Sequence, residues 1–333
     1  MKIIVEKNIP YIKELLEPFG SVEYLAASDI DADAVKDTDA LFIRTRTRCN
    51  ASLLNGSKVR FIATATIGTD HIDLDYCKAA GIAVFNAPGC NAPAVAQYVF
   101  AVIGTIFGED FANKTLGVVG VGNVGSIVTR WGERLGMRVL KCDPPRLRAE
   151  GGDFVTIEEI AAKADIITFH TPLNREGADK TYHLADSVWL NSLSRCQLLI
   201  NSARGEIVDN TALADALKAK KISAAAIDCW EDEPEINPAL LQLVNIATPH
   251  IAGYSAEGKS RATAMAIEAF ERFYGVSVAG KPAVVAPAKG ADITSIKQVT
   301  DSYDPQTDTR NLKTNPKDFE NLRNNYNLRN EVI

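Results

Sequence analysis

The chain predicts an α/β fold of parallel β-sheets divided between at least two domains. Three observations carry this. Short apolar runs alternate with helical patterns from the start of the chain, one long apolar helix interrupts them near residue 100, and a glycine loop lies between a strand and a helix just beyond. A length of 333 residues suits two or three domains.

Residues 2–6 form the first apolar run, and a helix-like stretch follows over 10–19. Runs at 40–44, 60–64 and 82–85, with helical patterns between them, predict β-α-β units and a parallel sheet. Ala92–Gly108 reads as a long apolar helix leading into a second domain. There a strand at 115–119 precedes the glycine loop, a helix runs to about residue 135, and a strand over 138–142 ends at Asp143. Further strands fit 165–169, 198–201, 223–227 and 245–247, and a helix over 257–274 returns the chain to the first domain. Residues 281–291 hold two prolines and no hydrophobic periodicity, as a linker does. In the polar, Asn-rich tail, Phe319, Leu322, Tyr326 and Leu328 are spaced as one face of a short helix. That face predicts a small module packed on a partner subunit.

Composition excludes several classes. Hydrophobic content of 46% and charge of 23% are ordinary for a globular protein. A net charge of −6 argues against a nucleic-acid partner, though local basic clusters can still hold a phosphorylated metabolite. The start, Met1-Lys2-Ile3-Ile4-Val5-Glu6, lacks a signal-peptide pattern, and no apolar run reaches the roughly eighteen residues of a membrane helix. The six cysteines are scattered without metal-ligand spacing, so no metal is expected and the thiols read as reduced and cytoplasmic.

The glycine loop Gly120-Val121-Gly122-Asn123-Val124-Gly125 has the context of a dinucleotide site, because it follows a predicted strand and opens a predicted helix. Its first glycine permits the turn, its second admits the pyrophosphate, and its third lets helix and strand pack closely. Asp143, eighteen residues after Gly125, is placed to bind ribose hydroxyls and repel a 2′-phosphate. NAD is therefore expected over NADP, although Arg146 nearby is able to welcome that phosphate. Thr171 follows a strand and is expected to line the cofactor groove. Asp228 ends another strand and suits either the nicotinamide end of the cofactor or a turn.

Three polar runs follow apolar ones: Asn201–Glu206, Asp228–Pro234 and Thr248–Tyr254. They are expected to meet on the carboxyl edge of one parallel sheet, where ligands bind in such folds. His250 suits proton transfer, since an imidazole titrates near neutrality. Arg204 suits a substrate carboxylate, which a guanidinium grips with paired hydrogen bonds. A carboxylate to orient the imidazole is available from Glu231, Asp232 or Glu233, and spacing does not choose among them. His71, His170 and His183 lack comparable surroundings.

Together, Gly120–Gly125, Asn201–Glu206, Asp228–Pro234 and Thr248–Gly253 resemble the NAD-dependent D-2-hydroxyacid dehydrogenases. The resemblance covers about residues 1–275. It implies two Rossmann-like doubly wound domains, one at 1–96 and 255–276 for substrate and one at 97–254 for NAD, followed by a linker and C-terminal dimerisation module over 281–333. It implies Arg204, Glu233 and His250 as the catalytic set. Ser202, Ala203 and Gly253 complete the expected cofactor contacts.

The segments Thr66–Asp73, Pro88–Ala92, Cys142–Arg146 and Ile251–Lys259 resemble one branch of that family, which serves bacterial vitamin B6 synthesis. The implied substrate carries a carboxylate at one end and a phosphate at the other, and the implied assembly is a homodimer. Arg44, Arg46 and Arg48 would share one face of an extended segment and offer the second anion grip. Thr45 and Thr66 match substrate-contacting positions of the branch, with Tyr254 and Lys259 as further contacts. Two departures stand out: Ala262 where a glycine is expected, and a linker and tail shorter than usual. The competing expectations are a dehydrogenase for another phosphorylated 2-hydroxyacid, such as 3-phosphoglycerate, and a non-enzymatic NAD-sensing protein.

Overall fold

The computed structural model describes residues 1–283 and 292–332, so most of the linker expected at 281–291 lies outside the described residues. The chain forms two compact units, Met1–Asn91 with Ala256–Ala288 and Ala92–Ser255 with Lys289–Ile333.

The first unit is built on a five-stranded parallel sheet. Its strands are β1 (Lys2–Glu6), β2 (Ser21–Leu25), β3 (Ala40–Ile43), β4 (Phe61–Thr64) and β5 (Ala83–Phe85), in the order β2-β1-β3-β4-β5. Every residue of β3 and β4 is buried, as both faces of a parallel sheet require. Alternate side chains enter different cores. Ile3, Val5, Phe42 and Phe61 pack with Ala262, Ala266 and Phe270 of the helix Ala256–Tyr274, while Ile4, Leu41, Ile43 and Ile62 face the other side.

The helix expected over 10–19 is not formed. Tyr11 and Glu14 take φ of 61° and 67°, in the left-handed region no helix tolerates, and only the single turn Glu17–Phe19 is helical. The Glu14 amide instead donates to the Tyr24 hydroxyl at 3.0 Å. Tyr24 lies on β2, a strand the sequence hid: Ser-Val-Glu-Tyr-Leu sits at the sheet edge with no residue fully buried.

In the second unit, β6 (Thr115–Val119), β7 (Arg138–Cys142), β8 (Ile166–Phe169), β9 (Leu198–Asn201), β10 (Ala224–Ile227) and β11 (Ile246–Ala247) form a parallel sheet ordered β11-β10-β9-β8-β6-β7. The order reverses between β6 and β8, which opens a crevice at their carboxyl ends. The helix Ala92–Phe107 is buried from Ala92 through Ile103 and packs on Leu116, Val118, Ile166 and Ile200. Both units are thus Rossmann-like, as expected. No described helix is long and apolar enough to cross a membrane.

The tail adds the helices Ile296–Thr300, Pro305–Thr314 and Phe319–Asn324. Ile293, Ile296 and Val299 join the core beside Ala92–Phe107, and Leu312 and Phe319 join the core on the other face of the sheet. The predicted apolar face is therefore only partly helical. The helix stops at Asn324, in a run of asparagines that compete for backbone hydrogen bonds, so Tyr326 and Leu328 lie beyond it. Phe319 is fully buried within its own chain, with Leu322 packed beside it, so this face needs no partner subunit to cover it. Phe319→Ala is expected to cost about 3–5 kcal/mol of unfolding free energy by leaving a cavity. Denaturant titration at several protein concentrations checks this, and a loss that appears only where the protein self-associates would reassign the side chain to an interface.

Candidate active site

Three loops follow β9, β10 and β11, strands that pair in parallel with Asn201 opposite Ile227 and Ala226 opposite Ile246. Asn201 is fully buried and joins the first two loops. Its amide nitrogen donates to the carbonyls of Arg204 at 2.8 Å and Cys229 at 3.4 Å, and its oxygen accepts from the Ala203 amide. A Cβ on Gly205 would lie 1.9 Å from the Trp230 carbonyl oxygen, so only glycine permits this approach of the loops. Arg204 is extended (φ −143°) and half-buried, with Nη1 donating to the Ala203 carbonyl.

His250 meets Glu233. Nδ1 lies 2.8 Å from Oε2 and 3.2 Å from Oε1, and the two side chains are 28% and 17% exposed. Burial raises the Glu233 carboxyl, but the charge and hydrogen bond of His250, then Arg323, then the Trp230 amide outweigh it and hold it below the usual carboxylate range. An ionised carboxylate only accepts hydrogen bonds, so Nδ1 carries the proton it shares with Glu233. Among the described residues Nε2 makes no hydrogen bond. The rival carboxylates are excluded by position. Glu231 accepts from His183 Nε2 at 2.6 Å and the Asn210 amide at 2.9 Å, and Asp232 is exposed.

The backbone at His250 is strained. Its φ of 57° is left-handed, costing a non-glycine residue of order 1–3 kcal/mol. Asp228, only 1% exposed, holds it there. The Asp228 carbonyl accepts from the His250 amide, and its carboxylate accepts from the Thr248 hydroxyl and the amides of Ile251 and Ala252 at 2.7–3.0 Å. Burial raises this carboxyl above the usual range, against His250, Thr248 and the two amides, which lower it.

The glycine loop fits a dinucleotide. Gly120 has φ 87° and lies against the His170–Thr171 backbone, where a Cβ would come within 2.9 Å of three atoms. A Cβ on Gly125 would lie 2.0 Å from the Gly120 carbonyl, whereas one on Gly122 would meet nothing within 4 Å, leaving that side open for phosphate. Gly122 caps the helix Asn123–Arg134, whose first amides face the same opening. Thr171 Oγ1 and Ser202 Oγ are buried without a hydrogen-bond partner, as groups that serve a bound cofactor would be. Asp143 caps the helix Pro144–Glu150 by accepting from the Arg146 amide, and also accepts from Val121 N at 2.8 Å. Val124 and Gly253 are half-buried, Asn123 is exposed, and Ala203 is 9% exposed.

The other predicted contacts belong to the first unit, apart from Tyr254. β3 ends at Ile43 and the chain turns at Thr45–Arg46, so Arg44, Arg46 and Arg48 do not line one extended face. Buried Glu6 sets this turn by accepting from Arg44 N and Thr47 Oγ1. Arg44 is half-buried with Nη1 on the Asn8 carbonyl, while Thr45, Arg46 and Arg48 are exposed. Thr66 Oγ1 contacts Thr64 Oγ1 at 2.6 Å, and Lys259 lies in the first turn of Ala256–Tyr274.

Two arginines beside the catalytic loops were not singled out in the sequence. Arg329 is buried and donates to the carbonyls of Ile251, Ala252 and Ala94. Arg323 Nη1 lies 3.8 Å from Glu233 Oε2. Both come from the tail, whose polar composition gave no sign of a place in the site.

Residues 97–252 match the D-isomer specific 2-hydroxyacid dehydrogenase family, NAD binding domain. The chain is 48% identical to erythronate-4-phosphate dehydrogenase of Bacteroides thetaiotaomicron, across 99% of this chain and 97% of that one. It is 42% identical to the Cronobacter sakazakii protein of the same name, across 99% and 92%. Among solved structures, D-lactate dehydrogenase from Aquifex aeolicus, complexed with NAD and lactic acid, superposes with a TM-score of 0.72 at 27% identity, covering 83% of this chain and 96% of that one. A 3-phosphoglycerate dehydrogenase of Entamoeba histolytica bound to NAD+ gives 0.69 at 26%, covering 84% and 98%. Identity of 42–48% to the first two over nearly their full length places the chain in the erythronate-4-phosphate dehydrogenases, a branch of the D-isomer-specific 2-hydroxyacid dehydrogenases.

Proposed function

We propose that the protein oxidises 4-phospho-D-erythronate at C2 to 2-oxo-3-hydroxy-4-phosphobutanoate, an NAD-dependent step in vitamin B6 synthesis. The substrate rests on one observation, the 48% identity to an erythronate-4-phosphate dehydrogenase over almost the whole of both chains. The reaction type rests on the His250–Glu233 pair. NAD supplies the acceptor for the hydride that leaves C2. Gly120, Gly122 and Gly125, with Asn123 and Val124, bind its pyrophosphate, Asp143 its ribose, and Thr171, Ser202, Ala203, Asp228 and Gly253 its remaining length.

His250 Nε2 takes the C2 hydroxyl proton as C2 becomes a carbonyl. Glu233 stabilises the imidazolium so formed and fixes the tautomer with Nδ1 protonated. Arg204 binds the substrate carboxylate. Tyr254, Thr45, Thr66 and Lys259 contribute further hydrogen bonds, and Arg44 and Arg46 take the phosphate. The protein works as a homodimer in the cytoplasm, without nucleic-acid or membrane partners.

Initial rates with NAD and either 4-phosphoerythronate or 3-phosphoglycerate test the substrate. Turnover is expected with the first and negligible turnover with the second, and the reverse result moves the protein to the other substrate. Arg46→Ala should weaken KM for 4-phosphoerythronate about tenfold or more, while scarcely touching that for unphosphorylated erythronate; equal losses would take the phosphate elsewhere. Oxidation needs neutral imidazole, so its rate falls as pH drops through the imidazole titration. Glu233→Gln removes the charge that favours imidazolium, so the acid limb of kcat/KM moves to lower pH while turnover falls roughly ten- to a hundredfold. An unmoved limb refutes the pairing.

A further inference from the structure

Both tail arginines reach the catalytic loops, and the chemistry above uses neither. Arg329 is accounted for as a brace: its donors are spent on backbone carbonyls and on Gln97, and its guanidinium stacks over the Tyr303 ring. Arg323 is placed differently. Its side chain is 15% exposed, and its Nη1 stands 3.8 Å from Glu233 Oε2. A separation of 3.8 Å is too long for a hydrogen bond, so the contact with Glu233 is one of charge.

The surrounding charges define what this cation can do. Glu233 is faced by His250, Arg323 and the Trp230 amide. Asp228 lies close enough to His250 to feel its charge, and the buried Cys229 thiol is held well above its ordinary range by burial, Asp228 and Glu233, against Arg204 and Arg323. Glu233 thus divides its charge between two cations, one of which must lose and regain a proton.

The geometry points to Arg323 as a positioning residue: it shares Glu233 with His250, which makes the C-terminal tail a working part of the active site. This rests on the proposed role of His250 as acid/base. Without Arg323 the full charge of Glu233 acts on the imidazole, which then holds its proton to higher pH and serves less well as a base.

The test compares the full-length protein with Arg323→Met and Arg323→Lys, following the four histidines by NMR titration and kcat/KM against pH. In Arg323→Met the His250 midpoint and the acid limb are both expected to rise by roughly half a pH unit or more. NADH affinity should stay within about twofold, while kcat at the optimum falls on the order of tenfold. Arg323→Lys restores the charge and should return the midpoint and, with it, most of kcat. An unmoved midpoint in Arg323→Met that still binds NADH reduces Arg323 to packing and overturns the inference. Should Arg323→Met fail to bind NADH, Arg323→Gln decides by the same two readouts. The NMR titration needs no substrate, so failure to oxidise 4-phosphoerythronate would refute that substrate and leave this result standing.

Discussion

The site depends on a parallel ladder. Asn201 lies opposite Ile227 and Ile227 opposite Ala247, so β9, β10 and β11 all release their loops at one edge. Parallel strands share a direction and therefore share an exit, which is how residues as distant as 204, 233 and 250 come to adjoining loops. The ladder fixes where the loops begin, and the close approach of Gly205 to the Trp230 carbonyl fixes how they proceed. Both constraints are made by the chain's own backbone.

Holding His250 in a left-handed backbone needs compensation, and buried Asp228 provides it. Burying an unpaired carboxylate costs several kcal/mol. Each hydrogen bond to a charged group returns about 1.5–3 kcal/mol, and Asp228 accepts three, two of them from amides just past His250. Burial outweighs these bonds and leaves the carboxyl above its usual range, and the bonds it accepts tie His250 to the end of β10. Arg329 donates to the carbonyls of the same two residues, Ile251 and Ala252. The catalytic turn is thus held through its amides by the sheet and through its carbonyls by the tail.

What the sequence disclosed follows from what kind of signal each element leaves. Buried parallel strands appear as short apolar runs, and most of them fell within a residue of their true ends, as with 198–201 for β9. β2 left no such run because an edge strand need not be buried, and the chain over 10–19 imitates a helix in its spacing while its backbone turns left-handed at two residues. Arg204 and His250 were legible because a cation and an imidazole directly after apolar strands have few structural uses. The choice of Glu233 over Glu231 was not, since it turns on His183 having already taken Glu231, a contact across 48 residues. Arg323 was hidden for a similar reason: its role is set by where a polar tail packs, and spacing within the tail carries no trace of that.

The preference for NAD follows from how Asp143 and Arg146 are already engaged. Two of the four lone-pair sites of Asp143 are used, one by Val121 N and one by Arg146 N, which leaves acceptor capacity for ribose hydroxyls and keeps the charge in place. Arg146 is the residue able to reverse that preference by meeting a 2′-phosphate. Its Nε and Nη2 are paired with Glu150, and its Nη1 donates to the Val121 carbonyl at 2.7 Å. To turn to a phosphate it would have to give up an ion pair and its bond to the glycine loop at Val121. An exposed ion pair is worth only about 0–1 kcal/mol, so Glu150 alone would not hold it. The bond to Val121 is the stronger tie, because a charged donor to a carbonyl returns about 1.5–3 kcal/mol.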